Sequence, residues 1–154
     1  MIKTHSVTDV FFDLDHTLWD FEKNSGLAFN KIFIELNFPF SLNVFLKLYN
    51  PINHTQWKLY RENKITQDEL RFNRLNKTFE KLNYSASISL IDKISEQYIT
   101  YLSTFPHLFE GAIELLEALK SRFKLHIITN GFDKVQKIGN GMLDSLQGDR
   151  RDFF

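Results

Sequence analysis

A chain of 154 residues, 43% hydrophobic and 25% charged, is long enough for one ordinary core with an insertion and too apolar for a disordered segment. Nineteen Lys and Arg balance nineteen Asp and Glu along its length, so no basic field is available to grip a nucleic-acid backbone, and that class of partner is excluded. The lack of Cys excludes disulfides, thiolate nucleophiles and thiolate metal sites, and no apolar run approaches the roughly 18 residues of a membrane span.

Met1 to Asp9 lacks the form of a signal peptide, so a cytoplasmic protein without membrane contact is expected. Sixteen Phe are expected to fill a Phe-rich core, since base-stacking platforms are the rarer use of such a load.

Val7, Val10, Phe11 and Phe12 predict a short buried strand of the kind a parallel sheet uses. It runs into Asp13-Leu14-Asp15-His16-Thr17-Leu18, which puts two carboxylates at the strand's carboxyl end, where open α/β sheets bind ligands. Two such carboxylates repel each other unless a cation or a shared proton offsets the charge. Magnesium with a phosphate meets that need, with Asp13 as nucleophile and Asp15 as the acid and base. The competing reading is a strand and then an acidic turn, in which Asp15 or Thr17 caps the next element.

Trp19 and Phe21 lead into a helix over Glu22 to Asn37, with Phe29, Ile32, Phe33 and Leu36 at helical spacing. Pro39 closes that region. Ser41 is placed to cap a second helix through Val44, Phe45, Leu48 and Tyr49, which Asn50-Pro51 is expected to stop. A third, shorter helix is expected from Ile52 to Asn63, with Trp57 and Tyr60 on one side. Thr66-Gln67-Asp68-Glu69 has the capping-box form and opens a helix carrying Phe72, Leu75, Phe79 and Leu82. Ser85 to Leu102 predicts another, with Ile91, Ile94, Tyr98 and either Tyr101 or Leu102 on its apolar face.

From Glu22 to Ser103 there is no strand signal, and a structureless connection of that length is untenable, so a helical unit inserted after the first strand is expected. The alternative is an ordinary helical bundle to which Val7 to Phe12 is an extended lead-in. Pro106 marks the return. Glu110-Gly111-Ala112 then begins a helix with Ile113, Leu116 and Leu119 inward, ending near Arg122.

Leu125-His126-Ile127-Ile128 is a second buried-strand pattern, and Thr129-Asn130-Gly131 comes directly after it. A hydroxyl and backbone N–H groups at a strand's carboxyl end can bind phosphate oxygens. Taken alone, the same residues also read as a turn and cap before a helix over Phe132 to Ile138. His126 is expected in the core, His5, His54 and His107 in solvent, and none of the five His is assigned chemistry.

The strand leading into D-x-D-x-T-L, carried by Asp13, Asp15 and Thr17, resembles the first motif of the haloacid dehalogenase (HAD) superfamily. An acid at Asp15 is similar to its phosphatases and phosphomutases and unlike its dehalogenases. Ile127-Ile128-Thr129-Asn130-Gly131 resembles the second motif, in which the hydroxyl binds the transferring phosphoryl group, and Phe109 to Leu116 resembles the helix that leads out of the cap. The run Asp13 to Phe21, the helical insertion and Ile127 to Phe132 together look most like the superfamily's pyrimidine 5'-nucleotidases. His16 occupies a position that the superfamily leaves variable, from which it would face substrate.

The resemblance implies an α/β fold, a HAD-like Rossmannoid core with an incomplete parallel sheet (1–21 and 104–138), an inserted all-helical cap (22–103) and a polar tail (139–154). It implies magnesium-dependent hydrolysis of a small phosphorylated metabolite, a nucleoside 5'-monophosphate foremost, through an aspartyl-phosphate. Asp13 and Asp15 would be catalytic and would hold Mg2+, and Thr17, Thr129, Asn130 and Gly131 would bind substrate. A phosphomutase or another small-molecule phosphatase is the nearest alternative. The superfamily's third motif, a Lys, and fourth, an acid, are not found after Gln136, and Gly148-Asp149-Arg150-Arg151-Asp152 mimics the fourth only superficially. The chain thus resembles a C-terminally truncated member, and a catalytically inactive remnant that binds phosphate or a partner is the third reading. An exposed sheet edge would then favour self-association.

Overall fold

In the computed structural model, residues 7–129 are described, and they form two strands and five helices. β1 (Asp9–Asp13) lies parallel to β2 (Lys124–Ile128), with Asp9 opposite Lys124, Phe11 opposite His126 and Asp13 opposite Ile128. A parallel pair needs a crossover, which here is the whole helical stretch between the strands.

The strands are half-buried rather than buried. Alternation puts Asp9, Phe11 and Asp13 on one face, level with Lys124, His126 and Ile128, while Val10, Phe12, Leu125 and Ile127 occupy the other. Phe11 is 59% and Ile128 56% exposed, and Val7 precedes the strand altogether. For the same reason His126 is not a core residue: it shares the open face, stacks on Phe11 at 4.5 Å, and its Nε2 donates to Asp9 Oδ1 at 2.7 Å.

The chain divides into two compact units, one of Met1–Ser25 with Leu102–Phe154 and one of Gly26–Tyr101. In the first, α5 (Ala112–Lys120) precedes β2 and begins after Gly111, whose φ of 80° no L side chain adopts readily. Ala112 and Leu116 form its buried stripe. Ile113, expected inward, is 46% exposed, because a helix starting at Ala112 turns the next residue about 100° away from that stripe.

The second unit draws on α1 (Phe21–Leu36), α2 (Leu42–Arg61), α3 (Gln67–Lys81) and α4 (Ile88–Leu102). Ser41 caps α2 through Val44 N–H, and Thr66 and Glu69 form the capping box of α3. Ser87, two residues inside the expected start of α4, accepts the N–H of Leu90 and so sets that start at Ile88. Asn37, Asn63 and Asn83 adopt left-handed φ of 48°, 55° and 52° just past the first three helices, a conformation Asn tolerates better than most residues.

Pro51 does not stop α2. A proline inside a helix costs about 3 kcal/mol through a lost hydrogen bond and a ring clash. Here the buried stripe of Phe45, Tyr49 and Gln56 runs across the proline, and packing along it keeps the twenty residues in one helix. The same stripe joins the Phe-rich core that the composition suggests. Phe29 and Phe45 are fully buried, Tyr49 and Phe79 nearly so, and Phe29 lies 4.9 Å from Phe45, 4.7 Å from Tyr49 and 4.5 Å from Tyr98.

Candidate active site

Asp13 is the last residue of β1, and its partner in register is Ile128, the last residue of β2. Thr129 is therefore the first residue past the strand beside Asp13, and both stand at the carboxyl end of the parallel pair, with neighbouring strands about 4.8 Å apart. Asp13 is exposed and Thr129 half-buried. Asn130 and Gly131 lie outside the described residues, as do the helix expected over Phe132 to Ile138 and the tail from 139.

Beyond Asp13 the backbone turns tightly. The Leu14 carbonyl accepts the N–H groups of Thr17 (3.4 Å), Leu18 (3.1 Å) and Trp19 (2.9 Å), and the His16 N–H donates to the Trp19 carbonyl at 3.1 Å. Leu14, Leu18 and Trp19 are buried at 2%, 1% and 6% exposure and anchor the turn, leaving His16 and Thr17 exposed and Asp15 half-buried with its Oδ1 covered. His16 takes φ of 62°. The alternation of buried Leu with more exposed polar neighbours is the physical content of the motif: the apolar residues fix the turn and leave His16 and Thr17 open to solvent.

A strap across the turn was not apparent from the sequence. Trp19 Nε1 donates to the Phe105 carbonyl at 3.1 Å, the Asp20 N–H to the His107 carbonyl at 3.0 Å, and the Phe109 N–H to the Leu18 carbonyl at 2.9 Å. Asn24, fully buried, donates from Nδ2 to the carbonyls of Asp20 and His107 and accepts the His107 N–H on Oδ1. His107 is thus held by its backbone and half-buried, where solvent was expected. The signal was Asn24 itself, a polar residue one turn before Ala28 and two before Ile32 on the apolar stripe of α1.

Among the described residues no cluster of three or more His, Cys, Asp or Glu could enclose a metal ion. Magnesium does not require one, because it is commonly held by one or two carboxylates, with water and phosphate oxygens completing its shell. Asp13 and Asp15 are hard oxygen donors two residues apart and fit that donor chemistry. The other acid near the sheet, Asp9, is engaged elsewhere: hydrogen bonds from Thr8 and His126 hold its carboxyl below the usual carboxylate range.

A family model for haloacid dehalogenase-like hydrolases matches residues 10–148. The HAD-hydrolase YfnB of Bacillus subtilis (strain 168) is 31% identical over 127 residues, covering 82% of this chain and 52% of that protein. The pyrimidine 5'-nucleotidase YjjG of Escherichia coli (strain K12) is 30% identical over 129 residues, 84% of this chain and 54% of its own length. The pyrimidine 5'-nucleotidase PynA of Streptococcus pneumoniae is 29% identical over 128 residues, 82% of this chain and 52% of its own length. The chain spans about half the length of these curated relatives. Its fold matches the crystal structure of YfnB bound to magnesium with a TM-score of 0.80 at 26% identity, over 92% of this chain and 61% of that one.

Proposed function

The chain belongs to the haloacid dehalogenase-like hydrolases, an α/β core carrying a helical cap, and from that premise we propose that it hydrolyses nucleoside 5'-monophosphates through a phosphoryl group carried on Asp13. The observation that supports the proposal is the register of the sheet: Asp13 pairs with Ile128, so Thr129 follows directly at the same carboxyl end, and Asp15 lies in the adjoining turn. The names of YjjG and PynA support the nucleotide as substrate.

A carboxylate oxygen of Asp13 attacks phosphorus, the bond from phosphorus to the nucleoside oxygen breaks, and Asp15 gives that oxygen a proton. Asp15, now a carboxylate, takes a proton from water as the water oxygen attacks the same phosphorus. The bond to Asp13 then breaks, freeing inorganic phosphate and returning Asp13 as a carboxylate and Asp15 as an acid. The hydroxyls of Thr17 and Thr129 donate to the non-bridging phosphate oxygens in both steps. Magnesium, held by Asp13 and Asp15, would supply positive charge that offsets the phosphate and the attacking carboxylate.

The test is acid quenching during turnover of UMP, and then peptide mass mapping. A phosphoryl adduct on Asp13, and phosphate release at background in Asp13→Asn, are expected. Retained turnover in Asp13→Asn would overturn the assignment.

A further inference from the structure

We infer that His16 and Phe21 form an aromatic platform beside the phosphoryl site, on which the base of a nucleoside monophosphate stacks. The inference rests on the phosphohydrolase reading for its choice of ligand and adds the group that tells a nucleotide from a base-free phosphate ester.

The His16 ring is exposed and, among the described residues, makes no hydrogen bond; its ring contact is with Phe21, at 5.0 Å and 46°. Phe21 is half-exposed and stands edge-on to Trp19 at 5.9 Å and 78°. Trp19 is buried and fixed by its hydrogen bond to the Phe105 carbonyl. Three rings thus run from the core outward and end in an imidazole placed between Asp15 and Thr17. Neither the turn nor the core explains that ring: glycine meets a φ of 62° at lower cost, and the ring packs on Phe21 at the surface, outside the core.

Stacking explains it, since a rigid column presents a ring at little entropic cost. Every base has a π-face, so the platform favours nucleotides as a class over ribose 5-phosphate without choosing strongly among bases. The strength of base stacking on an aromatic side chain corresponds to a factor of roughly ten or more in affinity.

Isothermal titration of the full chain with UMP and with ribose 5-phosphate, in magnesium, tests this without requiring turnover. UMP is expected to bind about tenfold more tightly. His16→Asn, which tolerates the left-handed backbone and lacks the ring, should abolish that advantage and leave ribose 5-phosphate unchanged. Phe21→Leu, a second variant that keeps an apolar side chain, should reduce it if His16→Asn fails to fold. Equal affinity for the two ligands in the parent chain, no binding of UMP, or parallel weakening of both ligands in the variants would overturn the inference. Phosphate release, measured separately, reports on the hydrolytic reading: a base advantage that depends on His16 with no ester hydrolysed would sink that reading and leave the platform standing.

Discussion

Asn24 holds both backbone groups of His107, its Nδ2 donating to the carbonyl at 2.8 Å and its Oδ1 accepting the N–H at 3.1 Å, as a paired strand would. The arrangement fastens 105–109 to the turn that carries Asp15 and Thr17. Asn24→Ala removes three hydrogen bonds and strands buried groups that otherwise pair, each worth about 1 kcal/mol or more. We expect a loss of about 2–4 kcal/mol in urea unfolding. A loss below roughly 1 kcal/mol would mean that water replaces the amide without cost.

Legibility in the sequence tracks which interactions are local. The strand ends, the capping box at Thr66 and the cap at Ser41 depend on residues within a few positions of one another, and each is present. The continuity of α2 through Pro51 was hidden, because it depends on the core that Phe45, Tyr49 and Gln56 join and not on the proline's own preference. The strands are less buried than their apolar runs predict for a related reason: apolar residues reveal that a strand wants cover, whereas Phe11 and Ile128 are exposed among the neighbours the structure provides. At the sheet's end, the position of Asp13 as the last residue of β1 and of Thr129 directly after β2 is legible from the apolar runs that precede them. The strap from Asn24 is not, since its partner is 83 residues away.

Arg74 on α3 is 2% exposed with no carboxylate partner among the described residues. Its Nη1 donates to Asn53 Oδ1 at a long 3.4 Å, its guanidinium lies 5.1 Å from the Tyr98 ring centre, and its Nε has no acceptor among the described residues. Removing the charge relieves the cost of burying it and loses the contact with the ring, two effects of similar size. Arg74→Met is therefore expected within about 1 kcal/mol of the parent chain, and Arg74→Lys, a compact charge in the same place, about 2 kcal/mol less stable. Denaturant midpoints distinguish the two; a larger loss in the Met variant would show that the guanidinium holds the helices together.

Asp9 gives a pH dependence whose sign is fixed. Its carboxyl is held below the usual range first by the Thr8 hydroxyl and then by His126, so the folded chain binds its proton less readily than the unfolded one. The resulting stability is present above the ordinary Asp pKa of about 3.9 and is lost as pH falls through the lower folded value. Asp9→Asn should therefore be less stable than the parent at neutral pH, with the gap closing in acid. A gap that persists unchanged to the lowest pH at which both chains fold would assign the effect to packing around Phe11 and His126.

Asp15 offers the sharpest test of mechanism. As a proton donor it matters in proportion to how badly the leaving oxygen needs a proton, and general acid catalysis by a positioned carboxyl contributes about a hundredfold or more. A nucleoside leaves as an alkoxide unless it is protonated, whereas 4-nitrophenolate leaves readily without help. Asp15→Asn should lower kcat/KM for UMP by at least about a hundredfold more than for 4-nitrophenyl phosphate. Its position fits the role, since the turn closed on the Leu14 carbonyl holds Asp15 two residues beyond Asp13 with Oδ1 shielded from solvent. Equal losses on the two esters would remove Asp15 from proton transfer and leave it the work of holding magnesium, and a fall in magnesium affinity of the variant would then accompany them.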